Sequence, residues 1–190
     1  MSEHEVLRYL GYRGAPADER VLALIRQVTS ELEAHVNPKS VYGTWDCLAD
    51  AAAVSLGGLT IHSGRLAKHL TGCPRAALLA ATLGTGADAL INRYSVTGME
   101  KAAVAQAVSA AMLEGYIGEI QREIAQKAGT EGLSLTVRFS PGYSDFALAH
   151  QKDILRLLDG RRIGLSLTDS DMLVPSKSVT AVIGLRAEIK

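Results

Sequence analysis

The stretch Val137-Arg138-Phe139-Ser140-Pro141-Gly142-Tyr143 decides how this chain is read. Ahead of it, Leu133, Leu135 and Val137 alternate with Ser134, Thr136 and Arg138. A period of two predicts a half-buried strand ending at Arg138. Pro141-Gly142 then predicts a turn. Proline fixes φ, and glycine accepts a positive φ and lets a ligand approach the backbone closely. The turn gathers one guanidinium, several backbone groups and one phenol around a small concavity. The planar fork of Arg138 can donate two parallel hydrogen bonds to a carboxylate. The same residues would also make a structural turn with a surface arginine, and the residue pattern alone leaves both readings open.

Working outward, residues 146–158 read as a helix, and residues 163–167 and 179–185 as further strands. Upstream lies a long helix over residues 98–127. Val104, Val108, Met112, Tyr116, Ile120 and Ile124 recur along it at steps of four, and Gly129 ends it. A shorter helix covers residues 87–94. The apolar run over residues 75–83, bounded by Pro74 and Gly84, reads as a buried strand. Ser63 caps a short helix through Leu70 that stops at Thr71-Gly72. Residues 41–61 break into strands and turns. Pro16 and Asp18 open a helix whose Val21, Leu24, Ile25, Val28 and Leu32 share one face, with Asn37-Pro38 as its stop. Residues 5–11 are too short to assign. Helices and strands without regular alternation predict an α+β fold. The expected architecture is a mainly antiparallel twisted sheet with helices packed on it, the long helix among them. No repeat or linker divides residues 1–190, so a single domain is expected.

The 190 residues suffice for one sizeable core. The apolar fraction is 47% and the charged fraction 21%, ordinary for a folded protein. Lys+Arg and Asp+Glu both number 20, and this zero net charge without a basic block argues against nucleic acid as a partner. The two cysteines, Cys47 and Cys73, read as reduced thiols or small buried hydrophobes. The first residues carry no apolar signal segment, and the longest small-apolar run is far below the roughly 20 residues of a membrane helix. A cytoplasmic location without membrane contact is the expectation.

Three other groups invite a functional reading. Gly84-Thr-Gly-Ala-Asp-Ala89 matches a G-x-G-x-x-A phosphate loop placed between an apolar run and a helix. This raises a small nucleotide-cofactor oxidoreductase as a remote alternative. The second strand such a unit needs is missing, so a tight turn feeding a helix is favoured. His62, His69 and Cys73 have a spacing that matches no common zinc pattern, and no metal site is expected. His69 instead suits a helix C-terminus. Trp45 reads as core, while Asp46 beside it could meet an amine.

The segment over residues 137–143, followed by a helix and then by Ile163-Gly-Leu-Ser-Leu-Thr-Asp-Ser-Asp-Met-Leu-Val-Pro-Ser176, resembles the end of the activation domain of vitamin B12-dependent methionine synthase. That family carries Arg-x-x-x-Gly-Tyr, then Leu-Thr-Glu-Ser, then Met, Pro and Ser ahead of a closing strand. All recur here in order, with Asp169 in place of the glutamate. The strongest match spans residues 137–184, and the long helix fits more loosely. The N-terminal third looks like a shorter, free-standing version of the domain.

The resemblance implies a module that binds S-adenosylmethionine and presents its methyl group for reductive methylation of cob(II)alamin. The cobalamin would be supplied by a partner, a corrinoid-binding methionine synthase lacking its own activation domain. A flavodoxin- or ferredoxin-type protein would supply the electron. It further implies that Arg138 meets the methionine carboxylate, that Ser140, Pro141 and Gly142 contact the ligand through backbone, and that Tyr143 flanks it. Pro175 and Ser176 are weaker candidates for a groove wall. Asp46 and Glu114 are candidates for the acidic residue facing the ligand's amino group. Catalytic residues are not expected on the chain, which shows no nucleophile–base pair. It would be an accessory part of a methyltransferase, with positioning as its contribution. Two relatives of this reading are a reactivation partner of another corrinoid methyltransferase and a docking module that no longer binds S-adenosylmethionine.

Overall fold

In a computed structural model the described residues are 2–187, apart from 13 and 15. They group into two compact units. The first comprises Met1–Lys39, Thr82–Glu119 and Pro175–Ser178; the second comprises Ser40–Ala81, Ile120–Val174 and Val179–Lys190.

The first unit is helical. Helix α1 spans Glu3–Tyr9, a segment too short for its sequence pattern to reveal. Helix α2 spans Glu19–Glu33 and begins where expected, because the Asp18 carboxylate accepts a hydrogen bond from the Val21 N–H at 2.8 Å. Helix α4 spans Thr85–Thr97. The first part of α5, which runs over Met99–Gly129, also belongs here. Val6, Ile25, Val28, Leu32, Leu90, Ile91, Val104 and Val108 meet in one buried cluster. Each fully buried side chain of this kind stabilises the unit by about 1.5–3 kcal/mol.

The second unit is built on a six-stranded sheet of order β3-β2-β1-β4-β8-β5. The strands are β1 (Lys39–Ala49), β2 (Ala53–Leu56), β3 (Leu59–His62), β4 (Arg75–Thr82), β5 (Leu133–Leu135) and β8 (Ser178–Ala187). Strands β1, β2 and β3 pair antiparallel in sequence order, and β5 pairs antiparallel with β8. The Asn37 N–H donates to the Leu83 carbonyl and the Cys47 N–H to the Pro74 carbonyl, so β1 and β4 also run in opposite directions. The fold is α+β on an antiparallel sheet, as the sequence predicts.

Strand β4 is a continuous apolar run because both of its faces are covered. Ala76, Leu78 and Ala80 join Cys47, Val54, Leu56, Ile61, Leu66, Phe146, Ile154 and Val182 in one core. Helix α3 (Gly64–His69), capped by Ser63, and helix α6 (Gln151–Leu158) supply residues to that core. On the other face, Ile124 and Ala128 of α5 share a small cavity with Tyr42, Thr44 and Leu185. There the Tyr42 hydroxyl donates to Glu123 at 2.7 Å, and the Lys127 ammonium donates to Glu123 at 2.9 Å.

Three expected elements differ from the sequence reading. The strand expected up to Arg138 keeps a regular ladder only over Leu133–Leu135. The helix expected from residue 146 begins with a 3-10 turn at Leu148–His150. Phe146 is excluded from it because its carbonyl accepts from the Gly142 N–H and its N–H donates to the Tyr143 carbonyl. The strand expected over residues 163–167 starts with a 3-10 turn, Gly160–Ile163, closed by Gly164 at φ +82°. Only Ser166–Leu167 (β6) pairs, with a two-residue partner, Leu173–Val174 (β7), too short for any pattern to announce.

Candidate functional site

The informative stretch is shaped by a β-bulge. Leu135 pairs with Leu185, and Phe139 bridges to Val182 in both directions at 2.8–2.9 Å. Four steps on one side therefore face three on the other, so one extra residue is inserted. Thr136 fills the gap. Its N–H donates to the Gly184 carbonyl, and its hydroxyl oxygen accepts from the Gly184 N–H, both at 2.9 Å. Without a bulge, residues 135, 137 and 139 would share one face. With it, Val137 is thrown out to solvent at 77% exposure and Phe139 turns into the core beside Phe146. Alternation alone predicts Val137 inside, and the bulge is why it is not.

His69 fixes the exposed side of the bulge. Its Nε2 lies 2.7 Å from the Val137 carbonyl and 3.1 Å from the Thr136 hydroxyl. The expected role at a helix end is joined by a specific tie to the residue before Arg138. Arg138 itself is half-buried.

The next four residues form the turn that the sequence announces. The Tyr143 N–H donates to the Ser140 carbonyl at 3.2 Å, with Pro141 and Gly142 at the two corners and Gly142 at φ +88°. Proline first and a positive-φ glycine second define a type II turn. The Gly142 N–H is spent on the Phe146 carbonyl at 2.7 Å. The carbonyls of Pro141 and Gly142 accept no backbone hydrogen bond among the described residues. The turn therefore offers acceptors, and Arg138 is the donor beside it.

Asp145 fastens the loop that follows. Its carboxylate accepts the Ser63 hydroxyl at 2.6 Å and the Arg65 N–H at 3.1 Å, capping α3 from outside. The Ser63 hydrogen bond, ahead of the backbone ones, holds this carboxyl below the usual aspartate range. Tyr143 stands out at 67% exposure, edge-on to Phe139 with ring centres 5.2 Å apart. A cleft of about 640 Å³ opens beside it, lined by Arg65, Lys68, His69, Phe139, Tyr143, Ser144 and Arg186. Arg65 and Lys68 come from α3 and Arg186 from β8, so no single sequence motif marks the three cations. Arg138, Ser140, Pro141 and Gly142 do not line this cleft.

Asp46 is exposed on β1, with β4 and β8 between it and residue 139, a separation of about 14 Å at the usual strand spacing. Arg138 and Asp46 are therefore not brought together. Glu114 is half-buried on α5 in the first unit. Pro175 and Ser176 also belong to the first unit, where Ser176 is held by Asp88 of α4. Its N–H and hydroxyl donate to that carboxylate at 2.7 and 2.5 Å.

The Gly84 loop has no dinucleotide geometry. It follows a strand with antiparallel neighbours, whereas such a loop belongs to a parallel βαβ unit. Gly86 is explained by packing, since a Cβ there would lie 1.9 Å from the His35 carbonyl oxygen. Among the described residues no group of His, Cys, Asp and Glu could hold a metal ion. Cys47 and Cys73 are free and buried, and burial pushes the Cys47 thiol up to about 11. No described helix is long and apolar enough to cross a membrane.

No family model and no curated protein matches the chain. Among solved structures, it is similar to the crystal structure of the MetH reactivation domain bound to AdoHcy, with a TM-score of 0.71 at 16% identity. The match covers 90% of this chain and 66% of that one, so the chain spans about two thirds of its length. The chain has the reactivation-domain fold. At this identity the likeness speaks to architecture alone.

Proposed function

We propose that this chain binds S-adenosylmethionine at the Arg138–Tyr143 turn and serves as a reactivation module for a corrinoid methyltransferase. The observation that carries the reading is the placement of Arg138 beside a type II turn whose Pro141 and Gly142 carbonyls accept no backbone hydrogen bond among the described residues. The methionine end of the ligand is a zwitterion. Its carboxylate suits the two-pronged guanidinium, and its ammonium and the adenine amino group suit carbonyl acceptors. Gly142 leaves room for close approach, because a Cβ there would meet only the end of Leu148 within 4 Å. A neighbour of the same fold is bound to AdoHcy, the demethylated counterpart of this ligand, which favours the same ligand class here.

In this reading the chain contributes binding and orientation. Arg138 fixes the carboxylate, the turn fixes the rest of the ligand, and the methyl group is held toward a partner. The methyl acceptor is the corrinoid of that partner, a methionine synthase without its own activation domain, and the electron comes from a flavodoxin- or ferredoxin-type protein. The test is a reconstitution. Chain, corrinoid protein, S-adenosylmethionine and electron donor together should methylate the corrinoid, and omission of any one should stop it. Methyl transfer by the chain without a corrinoid would contradict the reading.

A further inference from the structure

The cleft beside Tyr143 has a charge that the proposed ligand does not explain. Arg65 and Lys68 of α3 reach it from one side and Arg186 of β8 from another, with His69 between the chain segments. Among the described residues no aspartate or glutamate lines it. Arg65, Lys68 and Arg186 take part in no salt bridge among the described residues, whereas Arg20, Arg26, Arg75, Arg93 and Arg156 all do. The Asp145 carboxylate, next to Ser144 in sequence, accepts hydrogen bonds from Ser63 and from the Arg65 backbone. Three cations held together repel one another, and an anion relieves that repulsion. S-adenosylmethionine carries a sulfonium and an ammonium against one carboxylate, so its net positive charge is the wrong sign for this cleft.

The wall of the cleft adds a second feature. The exposed Tyr143 ring stands edge-on to Phe139, and His69 lies 5.4 Å from Phe139 between ring centres. The rings form an aromatic surface at the rim of the positive floor. Planar rings pack on such surfaces, and guanidinium forks hold phosphate oxygens in pairs. We propose that this cleft binds a phosphate-bearing ligand with a planar ring, of the nucleotide class, on cations distinct from Arg138, with Tyr143 at the boundary between the two sites.

Calorimetric titration at low ionic strength with adenosine 5′-monophosphate, inorganic phosphate and adenosine tests this. The monophosphate should bind, phosphate alone at least about tenfold more weakly, and adenosine weakest of all. Arg65→Gln with Lys68→Gln, and separately Arg186→Gln, should each weaken the monophosphate at least about tenfold in proteins whose circular dichroism is unchanged. Titration of the same variants with S-adenosylmethionine should match the parent. That arm separates the two sites, since loss of S-adenosylmethionine binding in the parent leaves the cleft's result standing. No monophosphate binding up to about 10 mM would overturn the proposal. So would binding that the variants leave unchanged, phosphate binding as tight as the monophosphate, or loss of both ligands together.

Discussion

Gly142→Ala isolates the turn on which the functional reading depends. Gly142 sits at φ +88°, a region an L-residue enters at a cost of about 1–2 kcal/mol. The new Cβ would lie 3.3 Å from the Leu148 Cδ1, the end of a flexible side chain that can yield. Backbone strain is therefore the larger effect. Alanine also stiffens the unfolded chain, which offsets about 0.4–1 kcal/mol. The net loss is about 1 kcal/mol, or a melting temperature lower by about 2–4 °C for a chain of this size. The cheapest escape from strain is rotation of the Pro141–Gly142 peptide to a type I turn, which redirects the Pro141 carbonyl. A penalty of about 1–2 kcal/mol on the type II form reduces the competent fraction, and so the S-adenosylmethionine affinity, by about 5–30-fold. Gly142→Asn should fall between parent and alanine, because asparagine tolerates positive φ better. Thermal unfolding by circular dichroism and calorimetric titration read the two effects. A melting temperature unchanged or raised by Gly142→Ala would refute the reasoning.

Two further outcomes follow from local chemistry. Asp145→Ala should lower the melting temperature at pH 7, because α3 loses its outer cap. The folded carboxyl is shifted down, so its contribution is complete above the ordinary value of about 3.9 and is lost as pH falls through the folded value. Parent and variant melting curves should therefore converge below about pH 4, and a gap that persists or widens there would contradict this. Cys47, buried with its thiol pushed up to about 11, should resist iodoacetamide at pH 8 in the folded protein and react once urea unfolds it. Mass spectrometry of the two samples checks this, and rapid labelling of Cys47 in the folded protein would contradict it.

Much of the architecture is legible in local signals. Asp18 and Ser63 announce their helices because each caps one, and the unbroken apolar run of β4 announces burial on both faces. Pro141-Gly142 announces its turn because few turn types accept that pair. The bulge at Thr136 is not legible, since it depends on a side-chain hydroxyl pairing with Gly184, 48 residues away. That hidden insertion is why Val137 points to solvent instead of inward. The basic cleft is equally hidden. Arg65 and Lys68 share α3, but Arg186 of β8 joins them only through a long-range contact that no spacing rule announces. Ser176 shows the converse. It belongs to a recognisable string, yet its N–H and hydroxyl are both held by Asp88.

The most direct test of the central claim is calorimetric titration of S-adenosylmethionine into the parent protein, Arg138→Ala and Arg138→Lys, with circular dichroism to verify folding. Truncating one member of a desolvated, hydrogen-bonded charge pair costs roughly 2–5 kcal/mol, so the alanine variant should bind at least about tenfold more weakly. The lysine variant should recover only part of the loss, because an ammonium cannot reproduce the two-pronged geometry. Saturable binding by the parent with this order of affinities is the predicted result. Equal affinities in three folded proteins, or no binding by the parent, would contradict the assignment of the Arg138–Tyr143 turn to this ligand.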